Sequence, residues 1–277
     1  MTTSQRRELV AAFVEVGISE RKATAEVGIA RSTQRYASVR KDDPQLRAQI
    51  IDIAAARRRF GYRRITTLIR KDGKNVNEKR VYRIYCEESL QVRKRSKKRK
   101  VRLFRSPLVP ATRPHEQWSM DFVSDSLATS RRYRTLNVVD NCTRECLAIE
   151  VDFSLTGHRV ARVLDRLVWC YGKPGRIVLD NGPEFTSNAL LKWSTTNNVF
   201  LDFIAPGKPM ENAICESFNG RFRDECLNEN WFVDIQEARH VIEEWRADFN
   251  NARPHSSLGD LTPTEFSNSF MKQQVSA

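Results

Sequence analysis

Between residues 116 and 211 the hydrophobic pattern switches repeatedly between strand-like and helical runs, and few architectures satisfy that order. Residues 118–123, 132–140 and 146–153 are short runs with β-branched and aromatic residues, joined by short polar connections. Three such runs in succession predict an antiparallel meander. Val160, Val163, Leu164 and Leu167 then share one face of a predicted helix over 159–171. Lys173-Pro174-Gly175 ends it, and Ile177-Val178-Leu179 is an all-apolar strand of the kind buried on both faces of a parallel pair. A helix over 188–196 and a strand over 199–204 follow, and helical patterning dominates from Glu211. The expected fold is α/β, a mixed five-stranded sheet with flanking helices.

The 113 residues ahead of this region differ in charge. The chain of 277 residues has a formal charge of +13; residues 1–113 hold 30 Lys/Arg against 11 Asp/Glu, a net of +19, and residues 114–277 have a net of −6. Such a front suits a polyanion partner, with a solvated basic face as the plainer alternative. Residues 1–42 read as a helix-turn-helix-like segment. Leu9, Phe13 and Val16 recur at helical spacing, Ser19 is the expected N-cap of a second helix, Val27-Gly28-Ile29 is the turn, and Ser32-Thr33 opens a third helix. Three-helix fragments that never touch DNA share this shape.

Residues 43–92 read as a basic helical accessory region in which Leu46, Ile50, Ile53 and Ala54 form a stripe. Phe60 and Tyr62 sit among five arginines, including Arg63 and Arg64; they either stack on nucleic acid or fill a helix junction, and the junction is preferred. Lys79 and Arg80 open a further basic helix. From Arg93 to Lys100 seven of eight residues are cations, Arg93, Lys94, Lys97 and Lys98 among them. Such a block repels itself, so residues 93–113 read as a linker lying along phosphates, with a nuclear import signal as the competing reading. Pro107, Pro110 and Pro114 mark the boundary to residues 114–275.

The six cysteines form no Cys-x-x-Cys pair and the four histidines complete no zinc motif. Free thiols in apolar settings fit a reducing compartment. No apolar run is long enough to span a bilayer, and the N-terminus lacks a signal-peptide core, so an intracellular protein without membrane attachment is expected.

Three carboxylates have distinctive settings. Asp121 lies within the first strand between Met120 and Phe122, Asp180 follows Ile177-Val178-Leu179 and precedes Asn181-Gly182, and Glu216 opens a helical run, with 35 residues between it and Asp180. Ligands in open α/β sheets bind at the carboxyl ends of strands. An ionised carboxylate near a sheet needs a counter-charge. Two aspartates on apolar strands and a glutamate on a helix suit two hard divalent cations, which clamp the attacking and leaving oxygens of a phosphoryl transfer. On the helix over 211–227, Ile214, Cys215, Phe218, Phe222 and Cys226 form a core-facing arc, while Asn212, Glu216, Asn219 and Arg223 form a polar stripe. Glu216 could thereby bind metal while Arg223 meets a phosphate; a solvent-facing stripe has the same periodicity.

These residues also carry a family resemblance. Trp118-Ser119-Met120-Asp121-Phe122, Leu179-Asp180-Asn181-Gly182-Pro183-Glu184-Phe185 and the stretch from Glu211 through Glu216 to Gly220 resemble the catalytic domain of DDE transposases and retroviral integrases. The continuation Arg223-Asp224-Glu225-Cys226-Leu227, the stretch from Asn250 through Arg253-Pro254-His255 to Leu258, and Thr262-Pro263 with Glu265-Phe266 narrow it to bacterial insertion-sequence transposases whose catalytic part is encoded in the second of two overlapping frames. Phe60-Gly61-Tyr62-Arg63-Arg64 with the run from Asn77 to Val81 resembles the accessory region preceding that domain.

The resemblance implies a ribonuclease-H-like fold and metal-dependent DNA strand cleavage and strand transfer at the element ends. It implies Asp121, Asp180 and Glu216 as catalytic metal ligands, with Asp121 bridging two Mg²⁺ ions, for which Mn²⁺ substitutes in vitro. Arg223 and Asn219 on the helix, with Arg63, Arg64, Lys79, Arg80, Arg93, Lys94, Lys97 and Lys98, are the expected DNA contacts. The implied partners are double-stranded DNA, as terminal inverted repeats and target, further copies of the chain on that DNA, and an upstream-frame protein; the implied location is the cytoplasm, on the nucleoid. A DNA-binding regulator without cleavage shares the basic front but has no need of three carboxylates. A nuclease for RNA–DNA hybrids shares the fold and metals but not the stretch from Asn250 to Phe266.

Overall fold

The computed structural model describes residues 1–37, 43–92, 111–205 and 212–275. Arg93, Lys94, Lys97, Lys98, Pro107 and Pro110 lie outside the described residues. The chain divides into two compact units, Met1–Arg47 and Ala48–Ala277.

In the first unit, α1 (Thr3–Glu15) starts at a capping box in which Thr2 and Gln5 satisfy each other's backbone N–H groups. Ser19 takes the N-cap position of α2 (Glu20–Val27), though its hydroxyl makes no capping bond. Gly28, with φ of +67°, ends α2 in the left-handed conformation that glycine adopts without strain. α3 (Arg31–Arg35) follows. The expected stripe on α1 is displaced by one position: Val10 is fully buried, while Leu9 is 37% and Val16 81% exposed. A short amphipathic helix turns whichever face meets its neighbour inward, and spacing alone does not choose between adjacent apolar residues.

The second unit begins within α4 (Pro44–Ala56), followed by α5 (Tyr62–Lys71) and α6 (Glu78–Glu87). Asn77 caps α6 by accepting from the Lys79 N–H. Ile50, Phe60, Ile65, Ile69, Val81, Ile84 and Tyr85 are buried. Phe60 is therefore core, and Tyr62 packs on Tyr82 with ring centroids 4.6 Å apart.

The sheet has five strands in the order β3-β2-β1-β4-β5. β1 (Gln117–Ser126), β2 (Arg132–Asp140) and β3 (Cys146–Asp152) form the antiparallel meander, and β4 (Arg176–Leu179) and β5 (Phe200–Phe203) extend it in parallel. Side chains alternate across β1. Trp118, Met120 and Phe122 join the core under α7 (Gly157–Tyr171) and α8 (Asn188–Asn197). Val123 joins the opposite core, built by α9 (Ala213–Phe222), a π-helical turn (Arg223–Leu227) and α10 (Ile235–Asn251). Asp121 has the parity of Val123 and faces α9. The chain ends in α11 (Pro263–Val275).

Residues 48–92 are joined to the sheet-bearing part within this one unit. Arg57 pairs with Asp248 of α10, Arg59 Nε lies 2.8 Å from Glu229, Arg64 Nη1 3.5 Å from Glu225, and Lys71 Nζ 2.5 Å from Glu265 of α11. Many of the accessory region's basic residues thus meet carboxylates of the acidic part.

Candidate active site

Strand register brings two of the three carboxylates together. Ser119 of β1 is the parallel partner of Val178 of β4. Continuing that register by two residues aligns Asp121, in the central strand, with Asp180, just beyond the end of β4. The third arrives on α9, whose Cys215, Phe218 and Phe222 are buried against the sheet while Glu216 is exposed.

Burial, aided by the charges of Asp180 and Glu216 and opposed by its hydrogen bonds, pushes the Asp121 carboxyl up to about 6. Those bonds come from the Phe122 backbone N–H to Oδ1 (2.8 Å) and from Asn219 Nδ2 to Oδ2 (2.8 Å). Asn219 is itself held by Asn137 of β2, whose Nδ2 donates to Asn219 Oδ1 at 2.7 Å. Asn219, expected as a DNA contact, is buried, with both ends of its amide used inside the protein and one of them holding Asp121. The predicted polar stripe therefore splits: Asn212 and Asn219 are buried, Glu216 and Arg223 are exposed.

The Gly182 N–H donates to Asp180 Oδ1 at 3.0 Å. A Cβ on Gly182 would lie 3.0 Å from that same oxygen, so a glycine here gives the backbone its close approach. Around the pair, Phe122 stacks on Phe185 with centroids 4.7 Å apart, and Arg134 lies over Phe122 while pairing with Glu184. The motif following Asp180 thus walls one side of the site.

None of Asp121, Asp180 and Glu216 has a Lys, Arg or His ion-pair partner among the described residues. The three do not close into a cage: among the described residues no three His, Cys, Asp or Glu are gathered tightly enough to hold an ion. Mutually repelling carboxylates without a counter-charge spread apart. The donor set nonetheless fits divalent metal, being all hard carboxylate oxygen, partly desolvated and unclaimed by internal cations. Cys215 beside it has a thiol pushed well up by burial, so it offers no thiolate.

The expected DNA contacts fall in different places. Arg223 is exposed, and its Nη2 donates to the backbone oxygen of Ser124 at 3.2 Å, three residues past Asp121. Arg63 and Lys79 are exposed, with Arg63 Nε 3.5 Å from Glu78; Arg80 is half-buried. Arg64 is turned inward toward Glu225, with its guanidinium 5.2 Å from the centre of the Phe60 ring. The stretch from Asn250 to Leu258 serves as a brace. Asn250 exchanges two 2.9 Å hydrogen bonds with the Cys146 backbone, and buried Arg253 grips Glu225 through two nitrogens at 2.7 and 2.5 Å. Sequence patterning missed Arg253 because a buried ion pair has no period; its place in a dense Asn-Ala-Arg-Pro-His run was the available signal.

A mixed sheet with this strand order, flanked by helices on both faces, defines an integrase-type, ribonuclease-H-like catalytic core. Comparison agrees: models described as "Integrase core domain" match residues 111–209 and 197–263, and one described as "HTH-like domain" matches residues 41–99. The latter covers α4–α6 rather than the first three helices, where the pattern was read. A protein of insertion element IS407 from Burkholderia multivorans is 47% identical over 253 residues, 91% of each chain. One of insertion element IS476 from Xanthomonas euvesicatoria is 42% identical over 277 residues, 99% of this chain and 80% of that one. The InsK protein of IS150 from Escherichia coli, which bears a transposase name, is 25% identical over 232 residues, 79% of this chain and 81% of that one. A chain of the simian T-cell lymphotropic virus intasome shares the fold with a TM-score of 0.54 at 14% identity, covering 79% of this chain and 74% of that chain. The chain belongs to the family of bacterial insertion-sequence transposases with an integrase core domain. No helix among the described residues is long and apolar enough to cross a membrane.

Proposed function

We propose that Asp121, Asp180 and Glu216 are the metal ligands of a DDE-type transposase that cuts and joins DNA strands at the ends of its element. The observation that carries this reading is the Asp121 carboxylate: partly desolvated, pushed upward by the charges of Asp180 and Glu216, and without a cation of its own among the described residues. A protein that only occupied DNA would retain no reason to assemble three uncompensated carboxylates.

Asp121, aligned with Asp180 and facing α9, would hold two Mg²⁺ ions together with Asp180 and Glu216; Mn²⁺ has the same ligand preference. When bound, such a pair supplies Lewis acidity to the attacking water or DNA 3′-hydroxyl and to the leaving 3′-oxygen. Asn219 fixes the direction of one Asp121 oxygen and the Phe122 N–H fixes the other, so the carboxylate is oriented before any ligand arrives. Arg223, exposed at the open end of β1, positions a phosphate beside it. The protein acts on double-stranded DNA of the terminal inverted repeats and target, in the nucleoid, as a multimer that pairs two ends, with an upstream-frame protein as a further partner.

The test is a labelled duplex carrying one element end. Mg²⁺-dependent release and joining of the 3′ strand by the purified chain, alone or with the upstream-frame protein, supports the reading. Binding of the duplex with no cleavage in either metal under either condition refutes it.

A further inference from the structure

Away from the three carboxylates, arginines from separate elements converge on one acid. Arg253, in the loop after α10, takes Glu225 with two nitrogens at 2.7 and 2.5 Å, and Arg64 Nη1 of α5 lies 3.5 Å from Glu225. Arg221 precedes Glu225 by four residues, is attracted to it and repelled by Arg253, and its side chain has neither a hydrogen bond nor an ion pair with another described residue. Arg144, from the turn between β2 and β3, adds a further positive field at Arg221, and Asp260 adds an attractive one at Arg64. Four guanidiniums thus answer to three carboxylates, Glu225, Asp260 and, at Arg144, Asp140. The site is half-buried: the Arg64 side chain is 32% exposed and Glu225 11%.

This surplus is uncomfortable for the protein alone. Burial, then Arg253, pushes Arg64 down to about 10, and burial and Arg253 lower Arg221 as well. Beside them the buried His255 has an Nε2 with no hydrogen-bond partner. Partly desolvated cations without enough acid call for an outside anion. Paired guanidinium forks match the oxygens of a phosphate.

We propose that Arg64 and Arg221, backed by the Arg253–Glu225 pair, form a binding site for a backbone phosphate of duplex DNA. The proposal rests on the DNA-acting reading above and extends it to a second contact. Arg221 follows Glu216 by five residues, about 140° around the helix from it. The phosphate therefore sits on the flank of α9 next to α5, away from the strand being cut, and the DNA spans the accessory helices and the core together.

The experiment measures binding of a duplex to the full chain in metal-free buffer across a salt series, for wild type, Arg221→Gln and Arg221→Lys, with thermal unfolding of each. Expected for Arg221→Gln are several-fold weaker binding, a log affinity–log salt slope shallower by about 0.9, and a melting temperature unchanged or raised. Arg221→Lys should recover the slope. An unchanged slope in Arg221→Gln overturns the proposal, as does a loss of binding that tracks a loss of thermal stability. Unchanged DNA binding with weakened self-association would assign the cluster to an acidic protein surface and also overturn it. If wild type binds no duplex, the DNA-acting reading falls with this site; if wild type binds and Arg221→Gln matches it, this site alone falls.

Discussion

Asn219 donates its side-chain amide to Asp121 at 2.8 Å and receives Asn137 at 2.7 Å, so a buried hydrogen-bonded file runs from β2 through α9 to the carboxylate in the central strand. Replacing Asn219 with Ala removes the only side-chain donor to Asp121 among the described residues and leaves the Asn137 amide without its acceptor. Groups that orient metal ligands typically contribute about 10- to 100-fold in metal affinity or activity. Asn219→Ala should show a loss of that order in metal affinity by calorimetry while binding DNA normally. Unaltered metal affinity would remove Asn219 from the site.

Arg253 and Glu225 form a two-nitrogen ion pair with side chains 2% and 11% exposed. Breaking such a pair from one side leaves a buried charge and costs about 3–5 kcal/mol. Arg253→Met should lower unfolding stability in urea by that order. Adding Glu225→Gln to the same chain should return part of it, because the stranded carboxylate is gone. A double variant no more stable than the single one would show that packing of Arg253 on Phe249 and Phe60, not charge, carries the effect.

His255 is held neutral, its proton affinity pushed down to about 3 by burial and then by Arg253 and Arg221. The unfolded chain protonates this ring near its ordinary value of about 6.5. Between those values the unfolded state binds the extra proton, so its contribution to stability is complete above about 6.5 and is lost as pH falls toward 3, by roughly 1.4 kcal/mol per pH unit. Urea unfolding at pH 6.5 and 5 should therefore show a larger acid loss in wild type than in His255→Gln. Equal losses would mean that the ring is protonated in the native state.

Residues 48–92 share one compact unit with the sheet. Removing residues 1–105 deletes the partners of Asp248, Glu229 and Glu265 and the Arg64 contact to Glu225. The remaining chain should unfold at lower urea concentration than the full chain. An unchanged midpoint would show the ion pairs to be surface contacts of little weight.

The sheet was legible because its signals are local. The β-rich runs before Asp140, the apolar Ile177-Val178-Leu179 and the core arc Cys215-Phe218-Phe222 all declare their faces by period, and each was found buried as expected. Asp121 and Asp180 could be read as neighbours from strand-end logic. What could not be read was the fate of polar residues that share one stripe: Asn219 and Glu216 have equivalent periodicity, and only the presence of Asn137 across the sheet turns one inward. The ion pair of Arg64 could not be read either, since nothing local announces Glu225, 161 positions away, as its neighbour. Unit 1 shows the limit for short helices, where Val10 rather than Leu9 became the core residue.

The central claim is that the three carboxylates hold the metals of DNA cleavage, and Asp180→Asn tests it most directly. The amide keeps the size of the side chain and removes the charge that attracts a divalent cation, while the Gly182 N–H can still donate to the remaining oxygen. On an element-end duplex with Mg²⁺, under conditions where wild type cleaves and joins, Asp180→Asn should bind with wild-type affinity and neither cut nor join. Cleavage by Asp180→Asn at the wild-type rate would contradict the account, because the chemistry would then be carried by other residues.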